Sequence, residues 1–114
     1  MENWKITFID ESIVTGGDLG RVIFYDEKSK EKIKKFDTGE VFLTALAKSF
    51  DSNFLATGNN NGDVYIVNLG SAKEKVASLK AHYKLVRDLT FLEDGSKLLT
   101  ACDDASIKVI DISS

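Results

Sequence analysis

The chain has 114 residues, enough for one ordinary domain, and its net charge of −3 favours neither sign. A general nucleic-acid binder usually carries a strong basic excess, which this chain lacks, so direct nucleic-acid binding is not expected. The single cysteine, Cys102, cannot form an internal disulfide, and no apolar run approaches the roughly 20 residues of a membrane span. The N-terminus lacks the apolar core of a secretory signal. These features predict a cytoplasmic or nuclear protein without membrane association.

Three segments of the chain are similar to one another and recur at regular intervals. Each segment opens with Thr, passes through a tight polar turn, enters an alternating strand and closes on Asp or Asn. The opening residues, Thr15, Thr57 and Thr100, are separated by 42 and 43 residues. A period of about 40–45 residues with several strands per unit is typical of the blades of a β-propeller. We therefore divide the chain into three units, blade 1 at about 1–39, blade 2 at about 40–81 and blade 3 at about 82–114.

Within each unit the apolar residues alternate with a period of two, which predicts strands and no helix. The pairs Asn61-Gly62 and Asp94-Gly95 are hairpin-turn signals, because Asn, Asp and Gly tolerate positive φ. The chain should fold as three consecutive four-stranded antiparallel blades, with the last blade lacking its outer strand. The predicted strands are 4–9, 12–16, 21–26 and 32–37, then 42–48, 54–58, 63–68 and 75–79, then 85–92, 97–102 and 106–111.

The third unit resembles the repeat of the WD-repeat family. Ala81-His82 stands where such repeats have Gly-His, and Leu-Glu-Asp-Gly at 92–95 resembles their Ser-Pro-Asp-Gly turn. Asp-Ala-Ser-Ile-Lys-Val-Ile-Asp at 104–111 resembles their closing Asp-x-x-Ile-x-Val-Trp-Asp. The resemblance covers nearly the whole chain and implies an all-β partial β-propeller. It also implies a non-enzymatic scaffold that binds other proteins.

A narrower resemblance comes from the order of short segments in the first half of the chain. Lys-Phe-Asp-Thr-Gly-Glu at 35–40 precedes Asp51-Ser52 and then Leu-Ala-Thr-Gly at 55–58. This order is similar to that in the WD-repeat subunit shared by the superkiller RNA-decay complex and the polymerase-associated factor complex. The similarity implies an association with RNA decay or transcription.

Members of the WD-repeat family stabilise each blade with a side-chain network, in which a His donates to a turn Asp and a Ser/Thr and a Trp complete the set. In blade 3, His82 and Asp104 match those positions, whereas Cys102 replaces the Ser/Thr and Ile110 replaces the Trp. The resemblance therefore implies a partial network in blade 3, and blades that depend more on apolar packing between neighbours. The matching positions in blade 2 are Gly39, Asn59, Asn61 and Val67.

Cys102, His82 and the neighbouring Asp103 and Asp104 could suggest a catalytic thiol. Adjacent carboxylates disfavour the thiolate, and Cys102 lies on a predicted internal strand, so we interpret it as a buried cysteine near a hydrogen-bonded histidine. One His and one Cys are too few for a structural zinc site, and no calcium-binding loop is present. The glycine-rich residues 16–20 lack the Gly-Lys-Ser/Thr and the helix of a phosphate loop. We predict no enzymatic activity, cofactor or metal.

Loops that enter the inner strands should share one face of a propeller with the loops between second and third strands. WD-repeat proteins often bind partners on that face, and aromatic residues and arginine are favoured interface anchors. Tyr83, Arg87 and Phe42 are therefore the first candidates for partner binding. The alternative is that Phe42 packs between blades and Tyr83 only covers the turn. The same face should also carry Glu40, Asn60, Lys84, Asp18 and Asp103.

Lysines concentrate in one segment, Lys28 to Lys35, where Glu27 and Glu31 are interspersed. Such a cluster could be the contact of an RNA-associated module in an RNA-processing or transcription complex. We favour a solvated outer strand, because edge lysines protect a sheet from aggregation.

Three blades are fewer than the roughly 4–8 of known propellers. A propeller avoids open sheet edges by closing its ring, so blades 1 and 3 would each expose an apolar face. Either flanking blades of a longer chain complete the ring, or copies of this chain associate to do so. Both readings predict self-association of the isolated chain.

Overall fold

The computed structural model describes residues 5–9, 11–16, 21–37, 42–50, 53–69, 75–92 and 96–112, and the regular structure in these ranges is entirely β. Eleven described strands form three antiparallel sheets, and each strand pairs with its neighbours in the chain. The predicted fold class is confirmed. Among the described residues, no helix is long and apolar enough to cross a membrane.

Each sheet corresponds to one repeat of the sequence. Blade 1 contains β1 (Lys5–Ile9), β2 (Ser12–Gly16), β3 (Arg21–Asp26) and β4 (Lys32–Asp37). Blade 2 contains β5 (Leu43–Lys48), β6 (Phe54–Asn59), β7 (Asp63–Asn68) and β8 (Lys75–Lys80). Blade 3 contains β9 (Val86–Phe91), β10 (Lys97–Cys102) and β11 (Ile107–Asp111), so the described part of the third sheet has three strands.

The inner strands β1, β5 and β9 lie next to one another, so the sheets stack face to face in chain order. Apolar residues of alternating strands fill the space between blades 1 and 2, where Val22 and Phe24 pack in one cluster with Leu55 and Val67. A second cluster between blades 2 and 3 includes Ala56, Val64, Val86, Leu89 and Leu98. The packing of successive blades therefore forms the core.

Glycines on the second strands allow the inner strand of the next blade to approach closely. A Cβ at Gly58 would lie 2.5 Å from Cγ1 of Val86, and a Cβ at Gly16 would lie 2.9 Å from Cδ1 of Leu43. Thr44 adds a polar link between blades, because its hydroxyl donates to the carbonyl oxygen of Val86 at 2.6 Å.

The Lys28 to Lys35 segment forms the β3–β4 turn and most of β4, as predicted. The ammonium of Lys34 lies 4.8 Å from the ring centroid of Phe24, a cation–π contact on the face turned toward blade 2. Lys30 donates to the backbone carbonyl of Glu27 within the turn. At least these two lysines thus make contacts within blade 1.

Candidate functional site

One end of the described structure carries the loops before the inner strands and the turns between second and third strands. We call this end the loop face, and it comprises residues 42, 60–62, 83–87 and 103–106. Equivalent backbone hydrogen bonds hold the loop face in blades 2 and 3. In blade 2 the Asn60 N–H donates to the carbonyl of Phe42 at 3.1 Å, and in blade 3 the Asp103 N–H donates to the carbonyl of Leu85 at 2.9 Å. The side chain of Asn60 also accepts from the Phe42 N–H at 3.2 Å. The repeat therefore provides a common backbone frame with different side chains on each blade.

The structure brings most of the predicted partner-binding residues together at this end. Tyr83 is 86% exposed and precedes the exposed Lys84 in the segment that enters β9. Phe42 is 43% exposed, although the neighbouring Leu43 is completely buried between blades. Glu40 and Asp18 lie outside the described residues.

Arg87 and Asp103 form an ion pair at the start of β9. The Nε and Nη2 atoms of Arg87 lie 2.9 and 2.7 Å from the same carboxylate oxygen, Oδ1 of Asp103. Both side chains are substantially exposed, so the pair contributes at most about 1 kcal/mol to stability. Its main consequence is to orient the guanidinium at the loop face.

His82 lies behind the loop face and links two hydroxyl groups of blade 3. Its Nε2 is 2.7 Å from Oγ1 of Thr100, and its Nδ1 is 3.2 Å from Oγ of Ser106. Ser106 in turn donates to Oδ1 of Asp104, through its hydroxyl at 2.6 Å and its backbone N–H at 2.9 Å. The imidazole is thus held at both ring nitrogens, and its connection to the turn carboxylate runs through Ser106.

The expected members His82, Cys102 and Asp104 lie close together, and two hydroxyl groups that the expectation did not include join them. Thr100 supplies the hydroxyl partner of His82, although the sequence alignment assigned the Ser/Thr position to Cys102. Ser106 mediates the link to Asp104, which was expected to accept directly from the histidine. The available signal for Thr100 was its repetition, because Thr opens each of the three repeat segments.

The electrostatics of this cluster follow from its hydrogen bonds. The hydrogen bonds from Ser106, followed by one from Cys102, lower the pKa of Asp104 from 3.8 to about 2. Burial lowers the pKa of His82 below its ordinary value of 6.5, and the positive charge of Lys108 acts in the same direction. Asp104 therefore remains ionised and His82 favours its neutral form in the folded chain.

Ligand atoms of His82, Cys102 and Asp104 lie within 4.8 Å of one another, which is the spacing of potential metal ligands. Both ring nitrogens of His82, however, lie within hydrogen-bond distance of hydroxyl groups. Cys102 is 5% exposed, so its thiol has little access to solvent. The geometry therefore suits a structural cluster, and the absence of a catalytic or metal-binding role stays a prediction.

A family model described as "WD domain, G-beta repeat" matches residues 73–111. The WD repeat-containing protein SL1-17 of Schistosoma mansoni is 29% identical over 92 residues, which are 81% of this chain and 30% of that protein. The Protein LST8 homolog of Drosophila melanogaster is 29% identical over 101 residues, which are 83% of this chain and 32% of that protein. The chain thus spans about a third of the length of these relatives.

The fold is similar to the crystal structure of the Cps50 (Swd1) β-propeller domain of Myceliophteria thermophila, with a TM-score of 0.83 at 14% identity. That alignment covers all of this chain and 39% of the other. Stacked antiparallel meanders with adjacent inner strands are blades of a β-propeller. The repeat model at residues 73–111 and the WD-repeat relatives support the resemblance to the WD-repeat β-propeller family that the sequence predicted. The narrower resemblance to the superkiller and polymerase-associated factor subunit stays a prediction.

Proposed function

We propose that this chain is a non-enzymatic protein–protein interaction scaffold, part of a larger or oligomeric propeller in the cytoplasm or nucleus, whose loop face binds a partner protein. The observation that carries the proposal is the exposure of Tyr83, at 86%, beside an arginine already oriented by Asp103. The WD-repeat family supports the general role, because propellers expose many loops on a rigid frame. Function nevertheless depends on specific residues and not on the fold alone.

The side chains of the loop face suit an interface anchor. Tyrosine offers a large rigid surface with a polar end, and both it and arginine are enriched among residues that dominate binding energy. Because Asp103 already restricts Arg87, less conformational entropy is lost when a partner binds the remaining N–H groups. Phe42, half-exposed on the neighbouring blade, extends the apolar part of the same surface.

A capture experiment with matched variants tests this proposal. Arg87→Glu and Tyr83→Ala should each reduce partner capture at least about tenfold, as expected for the loss of more than about 1.4 kcal/mol at an anchor. Phe50→Ala is the matched control, because Phe50 is 89% exposed but lies on the β5–β6 loop at the opposite end of the blades. Circular dichroism should show that all three variants remain folded. Partner capture that persists in both loop-face variants would place the binding site elsewhere.

The second candidate is an RNA contact through the basic segment that forms the β3–β4 turn and the first part of β4. Lys32 and Lys35 are exposed there, which is the observation that favours it. Nuclease treatment before capture separates the candidates, since only an RNA-dependent association is lost. Replacing Lys32 and Lys35 with Glu should then abolish that fraction and leave capture at the loop face unchanged.

A further inference from the structure

The charged side chains of the loop face differ in whether the chain itself provides their partner. Asp103 accepts from Arg87, and Asp104 accepts from Ser106 through both the hydroxyl and the backbone N–H. The side chain of Lys84 is exposed and forms no hydrogen bond or ion pair with any residue that the structure describes. Both described carboxylates of this surface are therefore bound within the chain, whereas one cation remains for an external partner.

Arg87 keeps part of its hydrogen-bonding capacity although it is paired. Its Nε and Nη2 atoms lie 2.9 and 2.7 Å from a single oxygen of Asp103, which leaves Nη1 outside this contact. The side chain is 64% exposed. Because the N–H groups of a guanidinium form a fixed planar fork, its outer edge suits a second carboxylate.

Tyr83 places an aromatic ring and a hydroxyl group beside these cations in the chain. The tyrosine is 86% exposed and directly precedes Lys84, in the segment that enters β9. Its hydroxyl can donate to a carboxylate, and its ring offers apolar area to the rest of a bound peptide. The three side chains of Tyr83, Lys84 and Arg87 therefore offer hydrogen-bond donors and positive charge to a partner.

The charge of the whole chain opposes unspecific binding of an anion. The net charge is −3, so a polyanion is repelled on average, and only a local group of cations can hold it. The other concentration of lysines, at 28–35, has contacts of its own within blade 1. Lys30 donates to the carbonyl of Glu27, and the ammonium of Lys34 lies over the ring of Phe24.

We propose that the partner of the loop face presents an acidic segment, whose carboxylates bind Lys84 and the outer edge of Arg87 beside Tyr83. Complementary charge of this kind selects partners and accelerates their association. Because the same surface is involved, this inference rests on the proposed function. It adds the chemistry of the partner, an acidic peptide segment of another protein.

A labelled peptide of repeating Glu-Gly, compared with the corresponding Gln-Gly peptide, measures the preference for carboxylates. In fluorescence polarisation the Glu-Gly peptide should bind the unmodified chain at least about fivefold more tightly, and added salt should reduce the difference because exposed charges are screened. In NMR spectra the peptide should shift resonances of residues 83–87. Equal affinities of the two peptides, or shifts concentrated at residues 28–35, would overturn the proposal.

Charge variants of blade 3 test the role of Lys84 in the same assay. Lys84→Glu should weaken binding of the Glu-Gly peptide at least about fivefold, and Lys84→Gln should weaken it less, because only the first variant adds repulsion. Lys97→Glu is the matched control, since it changes the net charge equally at the opposite end of the blade, where β10 begins. Circular dichroism should show that the variants are folded. A loss in Lys97→Glu as large as that in Lys84→Glu would mean that only net charge matters, against the proposal.

Partner capture separates this inference from the proposed function. Capture that is lost in Tyr83→Ala and unchanged in Lys84→Glu would keep the loop face as the binding site but would exclude an acidic partner. A single-stranded RNA that bound residues 83–87 more tightly than the Glu-Gly peptide would also contradict the proposal, because the ligand would then be a phosphate backbone. Capture that weakens in Lys84→Glu and with added salt is the expected result.

Discussion

Blades 2 and 3 solve the same structural problem, a tight turn between second and third strands, with different residues. In blade 2 the side chain of Asn59 accepts from the backbone N–H groups of Asn61 and Asp63 at 2.9 and 3.0 Å. In blade 3 the turn is instead connected through Ser106 to His82. The side-chain amide of Asn59 and the hydrogen-bond network of His82 thus stabilise equivalent turns of two successive repeats.

The two turns also differ in what covers them. Gly62 has a φ of +89°, and its carbonyl accepts from the N–H groups of Ala81 and His82 at 3.1 and 3.0 Å. The equivalent residue of blade 3, Ala105, has a φ of +69° and is exposed. The backbone that leads into the next blade therefore restricts the turn of blade 2 to glycine, whereas the turn of blade 3 accepts a side chain.

The largest effect that distinguishes the two turns is expected for Gly62→Ala. A Cβ at this position would lie 2.1 Å from the backbone oxygen of His82, in a conformation that L-residues rarely adopt. Because backbone and not a flexible side chain is in the way, we expect a loss of about 3 kcal/mol or more in the free energy of unfolding. Urea denaturation monitored by circular dichroism measures this loss.

Ala105→Gly is the matched control for that substitution. It relieves a left-handed conformation but adds freedom to the unfolded chain, so its net effect should be within about 1 kcal/mol. Equal losses for the two variants would mean that the approach of blade 3 does not restrict Gly62.

A second contrast concerns the glycines at the interfaces between blades. Gly58→Ala would place a Cβ 2.5 and 2.7 Å from Cγ1 and Cβ of Val86, so the inner strand of blade 3 must move. We expect a cost of about 1–3 kcal/mol, as for other overpacked cores. Gly16→Ala should cost less, because its contact at 2.9 Å is with the end of the Leu43 side chain, which can change rotamer. Thermal unfolding of both variants tests the order, and a larger loss for Gly16→Ala would contradict it.

The hydroxyl groups of Thr57 and Thr100 provide a third contrast, since the two residues are equivalent and both are buried. Thr100→Val leaves Nε2 of His82 without its partner, which should cost about 1–3 kcal/mol. Thr57 Oγ1 has no hydrogen-bond partner in the described structure, so Thr57→Val should be neutral or slightly stabilising. Chemical denaturation of the two variants compares them directly. Similar losses would indicate that Thr57 has a partner of its own.

Most of the strands could be predicted because the alternation of side chains is a local property. The predicted strand at 12–16 is identical to β2, and the predicted strand at 54–58 ends one residue before β6 does. The repeat spacing likewise predicted three sheets in chain order. Neither inference required knowledge of which residues meet across the core.

The details of the cluster around His82 could not be predicted in the same way. Alignment to a family pattern fixes positions along the chain, whereas the hydrogen-bond partners depend on how two strands are staggered. The hydroxyl of Thr100 therefore took the place that alignment gave to Cys102. Gly16 and Gly58 show the same limit, since their restriction comes from side chains 27 and 28 residues later in the sequence.

The smallest expected effect is the pH dependence of stability that arises from His82. Blade 2 contains no histidine. Because burial lowers the pKa of His82, the unfolded chain binds more protons than the folded chain just below the ordinary pKa of 6.5. The contribution of neutral His82 to the free energy of unfolding is therefore complete above about pH 6.5. It falls as the pH decreases toward the lower pKa of His82 in the folded chain. Asp104 adds a separate loss at more acidic pH, between 3.8 and about 2.

Denaturation midpoints of the unmodified chain and of His82→Gln, compared from neutral to mildly acidic pH, separate these contributions. The glutamine variant should be less stable at neutral pH but should lose the part of the slope that lies near pH 6.5. Since the chain contains a single histidine, its imidazole resonance in NMR reports the titration of this residue alone. A resonance that titrates at or above 6.5 in the folded chain would show that burial in blade 3 does not favour the neutral imidazole.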